Sequence, residues 1–220
     1  MVSSMDIYVI PGHEYDSNVY VIPGKVPTII DTGTGLHAEQ VIETIQSIIP
    51  FPKIQQILLT HEHYDHVGGV EDFVRRSIGH AKVCAHRDIV QKLREGKSAF
   101  AEMLGGKMPR IIVDEPLKDG TELTIGNERY QVLFTPGHSV GSLCIYGRQN
   151  QFLFSGDTIF ANGGFGRYDF PGGDYLTLLH SITRLAQLKV ACLYPGHGPF
   201  VKGGVQEHIL LSLQNIRSMM

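Results

Sequence analysis

The chain has 220 residues, enough for one large domain with its own core and too few for two full-sized ones. Hydrophobic residues make up 42% and charged residues 19%, a balance that excludes intrinsic disorder. The net charge of −3, without any long run of like charges, gives no broad electrostatic footprint for nucleic acid or an anionic membrane.

Short β-type runs open the chain at Asp6–Ile10, Asn18–Ile22 and Val26–Asp31, separated by Pro11-Gly12 and Pro23-Gly24 turns. Val41, Ile42, Ile45, Ile48 and Ile49 then fall at helical spacing within Ala38–Ile49, and Pro50 and Pro52 end the pattern. Ile54–Thr60 reads as a buried strand running into a histidine-rich loop. Val70–Ile78 reads as a helix and Ala81–Ala85 as a strand. A helical stretch over Arg87–Met108, broken at Gly96 and Gly105-Gly106, reads as an insertion over the sheet edge that shapes the pocket.

Strands are expected again at Ile111–Val113, Glu122–Ile125, Tyr130–Thr135, Ser142–Tyr146 and Gln151–Ser155. Asp174 caps a helix with Leu176, Leu179, Ile182 and Leu185 on one face, followed by a strand at Val190–Tyr194 and a closing helix at Gln206–Ile216. No linker interrupts this order, so one domain over 1–220 is expected, with a helical insertion around 87–108. Sets of strands each followed by helices suggest an α/β protein of two packed sheets with helices outside.

Cys84, Cys144 and Cys192 all sit inside apolar runs and form no CxxC pair. Buried, reduced thiols are the expectation, and they imply a reducing compartment. The N-terminus lacks the basic and apolar regions of a signal peptide, and no apolar run approaches the ~18 residues of a membrane span. A soluble, cytoplasmic protein is expected.

The chemistry is concentrated in Thr60-His61-Glu62-His63-Tyr64-Asp65-His66-Val67-Gly68-Gly69. In an extended segment, residues two apart share a face, so His61, His63 and Asp65 should project together, with His66 following as the chain bends. At this composition H-x-H-x-D-H arises by chance with a probability of order 10⁻³ over the chain. Three more donors follow predicted strands: His138 in Thr135-Pro136-Gly137-His138, Asp157 in Ser155-Gly156-Asp157 and His197 in Tyr194-Pro195-Gly196-His197. Each flanking glycine lets backbone approach a ligand closely. Nitrogen donors with carboxylate suit zinc, manganese, iron or cobalt, and the seven divide naturally into two sites with a shared carboxylate.

His61-x-His63-x-Asp65-His66 followed in order by His138, Asp157 and His197 resembles the metallo-β-lactamase superfamily, over essentially the whole chain. The resemblance implies an αββα four-layer sandwich with the metals at one edge. It also implies that His61, His63 and His138 hold the first ion and that Asp65, His66 and His197 hold the second, with Asp157 bridging. Ser155-Gly156-Asp157-Thr158-Ile159-Phe160 and Gly166-Arg167-Tyr168-Asp169-Phe170 are similar to the glyoxalase II group, which hydrolyses S-acylglutathione thioesters. That group carries a helical C-terminal domain contacting glutathione, whereas little more than one helix follows His197 here. The match is to the short, glyoxalase II-like hydrolases.

The expected reaction is therefore thioester hydrolysis by a hydroxide bridging two divalent ions, zinc first, with iron or manganese as alternatives. Asp65 is expected to orient the hydroxide and take its proton. Asp31, at the end of a β run, could accept hydrogen bonds from the histidine loop, or close an Asx-turn with Thr32-Gly33. Arg167 could clamp a substrate carboxylate. The partner is a small thioester or ester, with no nucleic acid or membrane; self-association is left open. Rival readings are a mononuclear iron persulfide dioxygenase, which the Gly166-Arg167-x-Asp169-Phe170 segment also resembles, and a lactonase on the same scaffold. His13, His37, His80, His86, His180 and His208 show no partner pattern and read as structural.

Overall fold

The computed structural model describes residues 6–97 and 99–219. β1 (Tyr8–Ile10), β2 (Val19–Ile22) and β3 (Thr28–Ile30) pair antiparallel in chain order. β4 (Gln56–Leu58), β5 (Lys82–His86) and β6 (Glu115–Leu117) then add in parallel, completing a six-stranded sheet in the order β1 to β6. The second sheet is also six-stranded. In it β7 (Glu122–Ile125), β8 (Glu128–Phe134), β9 (Leu143–Gly147) and β10 (Phe152–Gly156) alternate in direction. β11 (Cys192–Pro195) lies parallel beside β10, and β12 (Val201–Lys202) closes the edge antiparallel.

Parallel neighbours cannot be joined by a hairpin, so helices fall between them. α1 (Ala38–Ile48) links β3 to β4; α2 (Tyr64–Val67) and α3 (Val70–Arg76) link β4 to β5. α4 (Val90–Glu95) and α5 (Ala99–Met103) precede β6, α6 (Tyr175–Leu185) joins β10 to β11, and α7 (Val205–Arg217) ends the chain.

The layers follow from the period-two alternation of side chains along each strand. Tyr20, Ile22, Ile30, Leu58 and Cys84 of the first sheet pack in one cluster with Val132, Ile145, Phe154 and Tyr194 of the second. Their neighbours Val21, Ile29, Ile57 and Val83 turn the other way, onto Ile42 and Ile45 of α1 and Phe73 of α3. On the far side Cys144, Leu153 and Leu193 meet Leu178 and Ile182 of α6 and Ile209 and Leu213 of α7. The result is the four-layer αββα sandwich. All three cysteines are buried and unbridged, one on each of β5, β9 and β11.

Three local expectations are corrected, and one short strand is added. Ile111–Val113 forms no strand; Ile111 is drawn under the helices by an N–H···O=C bond to Leu93 (3.0 Å), and the edge strand is Glu115–Leu117 instead, where Pro116 is tolerated. The buried face of α6 is Leu178, Ile182 and Leu185, while Leu176 is 58% exposed. β12 has no counterpart in the sequence reading. The histidine loop is not extended past His63, because Tyr64–Val67 is a helical turn.

Candidate metal centre

β8, β10 and β11 run the same way, since β9 is antiparallel to both β8 and β10, so their C-terminal ends fall on one side of the second sheet. His138, Asp157 and His197 leave those three ends. β4 delivers the His61–His66 loop and β3 delivers Asp31 from the first sheet. The Leu143 N–H bonds to the Thr60 carbonyl at 2.9 Å, which ties the two sheets together at this rim.

The seven expected donors come together. Ligand atoms of His61, His63 and His138 lie within 4.8 Å of one another, and so do those of Asp65, His66 and His197. Asp157 stands between the groups: its Oδ1 is 3.2 Å from His66 Nε2, and its Oδ2 is 3.7 Å from His138 Nε2 and 3.5 Å from His197 Nε2. Asp65 joins its group from the first turn of α2, by helical projection rather than strand alternation, and its Oδ2 lies 3.1 Å from His197 Nε2.

For His66, His138 and His61 the inward nitrogen is set by a contact behind the ring. His66 Nδ1 lies 2.8 Å from Asp31 Oδ2, His138 Nδ1 lies 2.6 Å from the Arg167 carbonyl, and His61 Nδ1 lies 3.1 Å from Thr60 Oγ1. A ring that donates from Nδ1 presents the Nε2 lone pair on its other side. Asp31 reaches His66 from a left-handed backbone (φ 57°), rare outside glycine but tolerated by Asp. The same carboxylate accepts from the Thr60 N–H and hydroxyl, both at 2.8 Å.

This arrangement fits divalent ions. His61 and His138 bring their Nε2 atoms to 3.2 Å, as do His66 and His197, a spacing that suits two nitrogens on one tetrahedral ion with bonds of about 2.0–2.1 Å. Asp157 Oδ1 is buried with no hydrogen-bond partner among the described residues, though His66 Nε2 stands 3.2 Å from it. A buried carboxylate oxygen left so is costly unless a cation takes it.

The electrostatics separate the two groups. Burial, then the neighbouring rings of His66 and His63, holds His61 well below the usual imidazole range; burial and His138 bring His63 down to about 4. Burial also opposes a charge on His66, but Asp157, Asp31 and Asp65 outweigh it and raise that ring well above normal. Burial pushes Asp65 and Asp157 up, and the cationic rings of His66 and His197 more than reverse it. His61 and His63 are therefore neutral nitrogen donors, whereas in the second group the carboxylates of Asp65 and Asp157 face the raised rings of His66 and His197.

His63, Asp65, His138, Asp157 and His197 open onto a cleft of about 250 Å³ walled by Phe160, Phe165 and Phe170. Arg167 also lines it, but its guanidinium is held by Asp169 through two bonds (2.9 and 2.6 Å) and lies 4.3 Å over the Phe170 ring. No described residue of 87–108 lines this cleft, contrary to expectation; that segment borders a separate hollow with Tyr64 and Glu71.

Two supports had no signal in the sequence. The Asn18 side-chain amide donates to the carbonyls of Pro195 (3.0 Å) and Gly198 (2.9 Å), bracketing His197. Glu62, with its side chain fully buried, accepts from Ser139 Oγ (2.8 Å) and Lys92 Nζ (2.9 Å), joining the neighbours of His63 and His138. Asn18 read as the start of a strand and Glu62 as a spacer in the motif.

A four-layer αββα sandwich with histidines and carboxylates clustered at one rim defines a class of metal-dependent hydrolases. The family model described as the metallo-beta-lactamase superfamily matches residues 14–197, and the chain belongs to that superfamily. It is 32% identical over 194 residues to the probable metallo-hydrolase MJ0888 of Methanocaldococcus jannaschii, covering 85% of this chain and 90% of that protein. It is 31% identical over 211 residues to the hydroxyacylglutathione hydrolase GloC of Haemophilus influenzae, covering 92% and 95%. Among solved structures, the BLEG-1 B3 metallo-beta-lactamase superposes with a TM-score of 0.75 at 32% identity, covering 92% of this chain and 96% of that one. TTHA1623 in a di-iron-bound form gives a TM-score of 0.75 at 31% identity, covering 94% and 96%.

Proposed function

We propose that this metallo-hydrolase is dinuclear and cleaves small hydroxyacyl thioesters. The observation that carries the reading is the division of seven donors into two clusters with the Asp157 carboxylate between them. The similarity to GloC, a hydroxyacylglutathione hydrolase by name, supports the thioester.

His61, His63 and His138 would hold one ion, Asp65, His66 and His197 the other, with Asp157 touching both. Divalent ions bound there, zinc first and iron or manganese as alternatives, supply Lewis acidity toward the carbonyl and a water acidified to near neutral pH. Asp65, partly exposed toward the cleft and hydrogen-bonded to His197, would orient the attacking water and accept its proton. The water oxygen bonds to the acyl carbon, the C–S bond breaks, and the thiolate departs. Strong acid assistance is unnecessary, because a thiol's pKa is only about 8.5. Phe160, Phe165 and Phe170 keep bulk water from the reacting carbonyl. Asp31 orients His66 from behind. Arg167 serves the centre first through its carbonyl, and its side chain reaches a substrate carboxylate only by leaving Asp169. Three buried thiols suit a reducing, cytoplasmic setting.

The decisive experiment assays metal-quantified protein against thioesters, lactones and a persulfide with oxygen uptake followed. Thioester turnover at two metal equivalents, lost on chelation and restored by metal, is expected. Asp65→Asn should lower kcat by about 10²-fold or more with little change in KM. One iron per chain with oxygen uptake would replace the proposal with the dioxygenase reading.

A further inference from the structure

Two histidines that belong to no motif lie together away from the seven donors. His13, in the turn after Pro11-Gly12, and His37, just ahead of α1, have ring centroids 4.6 Å apart. Glu14 joins them, so that ligand atoms of His13, Glu14 and His37 all lie within 4.8 Å of one another. Behind them stands Asp16, whose Oδ2 is 2.9 Å from His37 Nδ1. Asp16 is only 7% exposed, and its other oxygen accepts from the Thr34 N–H at 2.7 Å and from the Thr34 hydroxyl.

A carboxylate fixed on one ring nitrogen holds the proton there and frees the opposite nitrogen's lone pair, the device that orients metal-binding histidines in proteins. Here the carboxylate is built into the fold and cannot swing away without breaking its Thr34 bonds. Glu14 is held beside the rings by an unusual backbone: its φ is 54°, in a turn closed by the Asp16 N–H on the His13 carbonyl at 2.9 Å. A non-glycine residue kept in this region marks a turn whose surroundings over-determine it.

From this geometry we propose a second, separate divalent-cation site formed by His13, Glu14 and His37, with Asp16 orienting His37. Two imidazole nitrogens and one carboxylate oxygen suit zinc or a similar borderline ion rather than magnesium or calcium. Glu14 and Asp16 together supply the negative charge that offsets a divalent ion. Three protein ligands leave a fourth tetrahedral position for water, beside a cleft of about 150 Å³ that His13, Asp16 and His37 line. The site has a physical route to the hydrolytic centre. The Ser17 N–H bonds to the Asp65 carbonyl at 3.0 Å and the Asn18 N–H to the Gly196 carbonyl at 2.7 Å. A cation on His13 and Glu14 pins the loop that carries both contacts. None of its ligands is among the seven donors, so the site stands or falls apart from the proposed reaction.

The test titrates zinc ion into protein whose primary centre is already loaded and counts bound metal by elemental analysis and calorimetry. Wild type should take up one more equivalent than His13→Ala or His37→Ala, and Asp16→Asn should weaken that equivalent by about 10- to 100-fold. Because the reading is a difference between variants, it does not depend on how many ions fill the primary centre. His61→Ala should lose metal from the primary centre and keep the extra equivalent. Cobalt in place of zinc should show the visible bands of a protein-bound ion, lost in the same variants. His13 is exposed, so His13→Ala should fold and, with no zinc added beyond the primary centre, hydrolyse substrate as wild type does, which separates loss of the site from loss of the protein. Equal zinc uptake by wild type and His13→Ala, or uptake that ignores both histidines, overturns the proposal and leaves His37 and Asp16 as a hydrogen-bonded pair alone.

Discussion

The two sheets furnish the metal centre in different ways. The first sheet contributes one continuous loop, in which His61, His63, Asp65 and His66 follow β4 and are tied down by Asp31 from the adjacent β3. The second contributes three isolated residues at the ends of parallel-running strands, each preceded by a glycine. Local chain geometry can aim the first set. The second set is aimed by strand register and by backbones packed closer than a side chain would allow. At Gly196 an added Cβ would lie 2.1 Å from Asp157 Oδ1; at Gly137, whose φ is 120°, it would lie 2.2 Å from the Leu178 backbone nitrogen. The first half is packed as closely at Gly68, where an added Cβ would lie 2.1 Å from the Thr34 carbonyl oxygen, but that contact lies within the first half rather than placing a donor from another strand.

The largest effect should come from attacking the second half at its tightest point. Gly196→Ala forces Asp157 and His66 apart from the chain carrying His197, and an ångström of misplacement should lower hydrolysis by about 10²-fold. Overpacking should also cost about 1–3 kcal/mol in denaturant unfolding. Near-normal turnover would mean that this strand end is not rigid. In the first half, Asp31→Asn keeps the left-handed backbone but gives up one carboxylate oxygen, so metal affinity should fall by about 10- to 100-fold with the fold intact. Equal affinity in a competition titration would remove Asp31 from the centre's support.

A gentler probe treats the halves alike. Burial pushes the Cys84 thiol of the first sheet up to about 12 and the Cys144 thiol of the second up to about 11. The native state therefore keeps these protons above pH 9, where the unfolded chain releases them, and stability should fall as pH rises from about 9 toward 11. Below pH 9 these groups add no slope. Both thiols should resist alkylation in the native protein at neutral pH; fast labelling of either would show that its half opens locally. The smallest effect is expected at the cap of α6, where the side chain touches none of the seven donors. Asp174→Ala removes the N-cap bond to the Thr177 N–H (2.7 Å) and should cost about 1 kcal/mol, read as a lower melting temperature with turnover unchanged.

The sequence was most legible where the physics is local. The α1 pattern, the Asp174 cap and the apolar runs of β2, β5 and β9 depend on neighbours within one or two turns, and their boundaries shift by only a residue or so. The histidine motif was legible because its donors are packed into one short loop. Legibility failed where distant contacts decide: Ile111–Val113 has strand composition but bonds to α4, and Leu176 has the spacing of a buried leucine but faces solvent. Asn18 and Glu62 were invisible because their partners lie far along the chain, Asn18 reaching Pro195 and Glu62 reaching Ser139.

Composition and spacing by themselves determined an α/β chain with seven nitrogen and carboxylate donors, because residue identity and short-range periodicity are written along the backbone. Only the folded chain decided that Asp157 stands between two groups, that Asp31 holds His66, and that His13 meets His37. Those are distances between segments whose separation in sequence carries no information about their separation in space, and packing of the two sheets is what brings them within bonding range.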